Sequence, residues 1–379
     1  METDRRHFLG ATGALLLAPA LLPRRAGAAA SWGPARFLSG FRRSDGSYSI
    51  ARLSVDGRVT AEAKMPGRPH AIALSADGSM AAAAARRPGT YLLVLGTKTL
   101  EPVATITAAP GRHFYGHTVF SPDGSLLYAT ENDYDGQRGV IGIYDLTSGG
   151  ARLGEMSSHG TGPHDIRLHP DGHTLIVANG GIATHPDAPR VKLNLATMAP
   201  NLSFVDRASG TCVASATLPA ADHQLSIRHL SVSPTGRIAV GMQFQGPRLL
   251  HPPLLAIADT DGGSPERLVL STLDMPQDSL KRMKGYCGSV AFDRSGRFIA
   301  ATSPRGGLAV FFDMRDRKFL TAVDLSDCCG VAAGSGDGQF VLTAGTGAVR
   351  TIRLPDGHMT DTSRADGAFD NHLTGFPAV

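Results

Sequence analysis

Short apolar runs separated by turn residues fill this chain from about residue 36 onward. Residues 71–74, 79–85, 91–95 and 103–107 are four such runs in succession. They are too short for ordinary helices, they favour small, β-branched and aromatic residues, and Gly, Pro, Asp or Ser bounds them, so each predicts a strand. The same rhythm returns at 126–130 and 140–144, at 175–178 and 202–205, and at 238–242 and 254–257. It continues at 298–301 and 308–312, then at 340–343 and 349–352. One stretch, 274–284, reads instead as a short helix.

A turn recurs between the runs. Leu74-Ser-Ala-Asp-Gly78, Phe120-Ser-Pro-Asp-Gly124, His169-Pro-Asp-Gly172, Val232-Ser-Pro-Thr-Gly236, Phe292-Asp-Arg-Ser-Gly296 and Gly334-Ser-Gly-Asp-Gly338 are its copies. The steps between the closing glycines are 46, 48, 64, 60 and 42 residues. A four-stranded propeller blade takes about 40–50 residues, so the third and fourth copies carry insertions. Residues 36–64 hold strand-like runs but no such turn, and the tail Phe369-Asp-Asn-His-Leu-Thr-Gly-Phe376 offers one more strand. An all-β, seven-bladed β-propeller follows, one domain over 31–379, its ring closed by strands from both termini so that no sheet edge stays open.

Blade connectivity assigns the faces. The Asp-Gly turns join first (innermost) to second strands and share one face, here the lower. First strands begin at the upper face, where the second-to-third loops also lie. The long loops 131–138, 179–201 and 243–253 therefore open upward, and long loops on a rigid scaffold are the usual seat of function. His70 and His164 precede their turns in one register, while His117 and His229 sit one position later. All four stand where first strands begin, and Gly288 and Gly330 take the register of His70 in the next two blades. The spacing predicts an arc of imidazoles around one side of the channel. His185 and His251 occupy long loops of the same face, with Glu131, Asp133, Asp165 and Asn179 as supporting groups. Neutral imidazole with carboxylate suits a transition metal, iron or copper here, held by His70, His117, His164, His229 and His185. The competing reading is structural: a strand alternates its side chains, so a one-residue offset turns two of the four away from the channel.

Charge narrows the classes. Lys and Arg number 37 against 33 Asp and Glu, a formal +4, and removing residues 1–28 lowers this by four arginines less two acids, to +2. That balance gives no support to nucleic-acid binding. Residues 1–28 read as an export leader: Arg5-Arg6 with Phe8-Leu9, a weakly apolar run too short for a stable anchor, and Ala26-Gly-Ala28 for cleavage. This resembles a twin-arginine signal and implies a periplasmic protein; a general secretory signal is the alternative. Cys212, Cys287, Cys328 and Cys329 form no CxxC or CxxCH, which leaves buried thiols or one bridge between neighbouring first strands.

Several stretches resemble one known family. They are Asn179-Gly-Gly-Ile-Ala-Thr-His-Pro-Asp187, Lys192-Leu-Asn-Leu-Ala-Thr-Met-Ala-Pro200, Gln243-Phe-Gln-Gly246, Tyr286-Cys-Gly-Ser-Val290 and Asp370-Asn-His-Leu373. The chain is similar to the twin-arginine-exported propellers called domain of unknown function 1513, although Phe369 stands where that family is expected to carry Trp. The resemblance implies a role in iron acquisition beside imelysin-like and dihaem-peroxidase-like periplasmic partners, and it implies no reaction. The expected protein is thus a monomeric metal-binding or partner-docking module rather than an enzyme. A metal-dependent hydrolase of the propeller-lactonase type is the alternative, on fold analogy.

Overall fold

The computed structural model describes residues 35–188, 191–260 and 268–377. The leader assigned to residues 1–28 lies outside them. Among the described residues no helix is long and apolar enough to cross a membrane.

Seven four-stranded antiparallel sheets form a propeller. Blades one to six span 69–107, 112–157, 163–217, 225–272, 289–324 and 328–364. The seventh takes its innermost strand, Gly367–Gly375, from the C-terminal part of the chain and three more from 35–65. The two parts pair antiparallel from Phe37 opposite Gly375 to Arg43 opposite Gly367, as the missing turn copy in 36–64 leads one to expect.

The turns show why the repeat has its residues. In the first copy the Gly78 amide donates to the Ser75 carbonyl, and Asp77 accepts from the Ser75 hydroxyl at 2.6 Å and from the Ser79 amide at 3.0 Å. These bonds, the Ser75 hydroxyl foremost, pull the Asp77 carboxyl down to about 2. The closing glycine has φ of 69° in the first copy and 72° in the second, a conformation that costs a Cβ-bearing residue.

Apolar faces of neighbouring blades pack against each other. Between blades one and two, Ala82, Ala84, Leu92 and Val94 meet Phe114, Leu127 and Tyr144. Second strands are mostly buried, whereas outermost strands show side chains such as Val103, 59% exposed. The expected helix is present but shorter, Gln277–Met283. It starts after Pro276, whose ring cannot continue a helix backwards, and ends at Lys284 in the left-handed region. All four cysteines are free. Burial pushes the Cys287 thiol up to about 12 and raises Cys328 and Cys329 as well, so these are inert core thiols.

Candidate metal centre and the funnel above it

Counting back from each turn glycine orders the channel. Eight residues back stand His70, Gly116, His164, Arg228, Gly288 and Gly330; seven back stand Ala71, His117, Asp165 and His229. A plain strand would send these two tiers to opposite sides. The first strands are not plain. Pairing registers shift between Pro69 and Ile72, Phe114 and Thr118, Pro163 and Asp165, and Ile227 and His229. A bulge re-aims the side chains around it, and all four histidines enter the channel.

A fifth joins them. His372, on the closing strand, has its ring centroid 4.9 Å from His70, 4.8 Å from His117 and 4.9 Å from His229. The five rings form one buried plug between two cavities. The lower cavity, about 680 Å³, is lined by turn residues such as Ala76, Pro122 and Arg294 and reaches His372. The upper one, about 870 Å³, reaches His70, His164 and His229. Gly116, at φ 115°, makes room for this packing: a Cβ there would lie 2.4 Å from His70 Cδ2.

Two sets of three rings bring candidate ligand atoms within 4.8 Å of one another: His70, His117 and His164, and His117, His229 and His372. Metal–nitrogen bonds of about 2.0–2.1 Å put adjacent ligand nitrogens about 3 Å apart, so either set would contract by small ring rotations. Hydrogen bonding separates them. His117 Nδ1 donates to Asp165 Oδ1 at 2.9 Å, which leaves Nε2 as the free lone pair. Asp165 is fully buried and also accepts from the Leu230 amide at 2.9 Å and from Arg167. Burial works against its charge, but Arg167, His117 and Leu230 outweigh it and hold the carboxyl well below its usual range. His117 Nε2, both nitrogens of His229 and His372 Nε2 are buried without a partner. Leaving such groups unmet costs about 1–3 kcal/mol each.

The upper set differs. Arg228 Nη1 lies 3.2 Å from His164 Nδ1. A guanidinium only donates, so His164 Nδ1 is the acceptor and its proton sits on Nε2. That tautomer has no lone pair left for a metal. Burial, first among the causes, pushes His70, His164 and His372 well below the usual histidine range, and His229 down to about 3. These rings are neutral at neutral pH.

The other expected site residues disperse. His185 stands half-exposed, 3.8 Å from Asp135 and against Tyr134, apart from the plug. Glu131 is buried but spent on Tyr144 and Arg152. Asp133 is paired with Arg112 at 2.9 Å and Arg138 at 2.7 Å. Asn179 donates to the Ser158 carbonyl and the Ser203 hydroxyl. His251 lines the upper cavity. Sequence reasoning missed His372 and Arg228, though Arg228 shares the register of His70 and the same count finds it.

A comparison with curated proteins returned no match. Among solved structures the chain is similar to Kuenenia stuttgartiensis hydrazine synthase, with a TM-score of 0.62 and 17% identity, covering 88% of this chain and 99% of that one. At that identity the likeness is one of fold. The match of a family model to residues 63–376, nearly all of the propeller, makes this chain a member of the family described as protein of unknown function DUF1513.

Proposed function

We propose that this propeller is a transition-metal-binding module of an exported protein, and that His117, His229 and His372 hold the ion. One observation carries the reading. His117 has Nδ1 anchored on buried Asp165 and a free Nε2 aimed among the free nitrogens of His229 and His372. A carboxylate behind a histidine fixes the tautomer and raises the ring's basicity, as at metal centres generally. Three neutral imidazoles suit iron, copper, zinc or nickel and leave coordination positions open. Iron or copper remains the expected cargo, and transfer to a periplasmic iron-handling partner the expected role. Arg5-Arg6 and Ala26-Gly-Ala28 support export. A lactonase-type centre would want carboxylates around its ion, whereas the carboxylate touching this cluster, Asp165, is spent on His117, Arg167 and Leu230.

Calorimetry with Fe(II), Cu(II) and Zn(II) on metal-free protein tests it. One equivalent should bind. His117→Ala and His372→Ala should each weaken binding by about 100-fold, and Asp165→Asn by about 10–100-fold. His164→Ala should change it by less than about threefold, because that ring is committed to Arg228. No stoichiometric binding to the wild type, or binding that His117→Ala and His372→Ala both leave intact, ends the reading.

A further inference from the structure

The upper cavity has a chemistry the histidines do not explain. Arg86, Arg87, Lys192 and Arg228 line it on one side of the ring. Arg248, Lys281, Lys284 and Arg305 continue the wall, and no Asp or Glu is among the lining residues. The chain as a whole is nearly balanced, 37 basic residues against 33 acidic, so this is a local concentration. Elsewhere cations find partners: Arg112 with Glu155 at 2.9 Å, Arg237 with Asp259 at 2.8 Å, Arg297 with Asp313 at 2.6 Å. Among the described residues, only Lys281 of the cavity's cations has a carboxylate within reach, Asp278 at a loose 3.8 Å.

We propose that this upper funnel binds a small organic polyanion, a molecule carrying two or more carboxylate or phosphate groups. Like charges gathered without counter-charges repel, and a fold keeps them at that cost where an anionic ligand repays it. Lys192 shows the field: after burial, Arg228, Arg305 and Arg87 are what lower its pKa. The guanidinium at the base is already positioned. His164 Nδ1 holds Arg228 Nη1, while Arg228 Nε is covered and unpartnered. Arg305, farther along the wall, lies 4.4 Å over the Tyr286 ring, fixed for planar two-pronged recognition of an oxyanion. The Gln243 and Asn371 amides, which donate to the Cys287 carbonyl and the Tyr286 hydroxyl, each keep a second N–H for a ligand, and Tyr115 and Phe244 add apolar wall for its scaffold. About 870 Å³ above a closed floor fits a small molecule; such sites run about 300–1,000 Å³. One corollary rests on the metal reading: a bare cation is repelled at this mouth, so a metal using this route arrives inside an anionic complex.

The test uses metal-free protein and two probes, tricarballylate for carboxylates and pyrophosphate for phosphates, with acetate and choline as controls. Calorimetry should show one site for at least one polyanion, and the probe that binds identifies the source. Affinity should fall severalfold between low salt and about 0.15 M, where the Debye length of the solution shrinks to about 8 Å. The exposed double variant Lys192→Gln with Arg305→Gln, which does not endanger the fold, should weaken binding by about tenfold or more. Arg228→Gln should do at least as much, with a thermal melt to check folding. The Lys192→Gln with Arg305→Gln variant should leave Zn(II) binding at the histidines within about threefold at about 0.15 M salt, which separates this site from the metal. Neither polyanion binding more tightly than acetate, or undiminished binding in the double variant, overturns the proposal.

Discussion

Two sides of the same channel use the start of the first strand in opposite ways. On the side of blades seven, one, two, three and four, first strands deliver five imidazoles and Arg228. On the side of blades five and six that position is Gly288 and Gly330. There a Cβ would meet Pro304 Cδ at 2.6 Å and Thr343 Oγ1 at 2.3 Å. The bare side is therefore not an empty half of a ring of ligands. Its backbone runs so close to Pro304 and Thr343 that no side chain fits there.

Acid should break this symmetry of roles most strongly. His70, His164, His229 and His372 have folded pKa values below the unfolded value near 6.5. As pH falls past 6.5 the unfolded chain takes up protons that the folded chain refuses. Stability is full above about 6.5 and lost progressively toward about 3, where His229 titrates when folded, at up to about 1.4 kcal/mol per pH unit for each ring. Denaturant midpoints of metal-free protein should drop steeply between pH 6.5 and about 5. His229→Asn with His372→Asn should remove about half of that slope. A flat profile would mean that the plug is hydrated and not buried as described.

Next come the glycines. Gly116→Ala adds a Cβ 2.4 Å from His70 Cδ2 at φ 115° and should cost about 3 kcal/mol. Gly330→Ala adds one 2.3 Å from Thr343 Oγ1 and 3.1 Å from the Leu373 backbone nitrogen, without the unfavourable φ, and should cost about 1–2 kcal/mol. Urea unfolding of the two variants compares them; a larger loss at Gly330 would reverse the assignment of roles. The smallest effect belongs to His185→Ala. This half-exposed ring lies against Tyr134 and makes loose contacts with Asp135 and the next turn at Asp187, so stability should change by less than about 1 kcal/mol and metal affinity not at all. A tenfold loss of metal affinity there would return His185 to the site.

Most of the fold was legible because its information is local. Each Asp-Gly turn fixes its own bonds, and the count back from its glycine locates a first strand. Ring closure followed from 36–64, where strands occur without that turn. His372 escaped the same count because its strand belongs to the closing blade and has no turn glycine to count from. Whether the two histidine tiers face one channel depends on bulges, which arise from packing against neighbouring first strands and leave no mark on a single strand's pattern. The loop histidine His185 was assigned to the right face, but a loop's reach across that face is not written in its length. Glu131 and Asp133 looked like supporting carboxylates; Arg112 is the across-strand neighbour of Asp133 and Arg152 reaches Glu131 from two strands away, which only the folded sheet reveals.

The pairing of Gly367–Gly375 with Ala35–Arg43 bears on when the protein becomes competent. His372 follows all six other blades in order of synthesis. While a chain is still being made, His117 and His229 already exist, but their third partner does not. The triad assembles only as the two ends of the chain meet. On the proposed metal reading, ion capture is tied to completion of the ring, and a chain that lacks the closing strand should bind no ion at this triad.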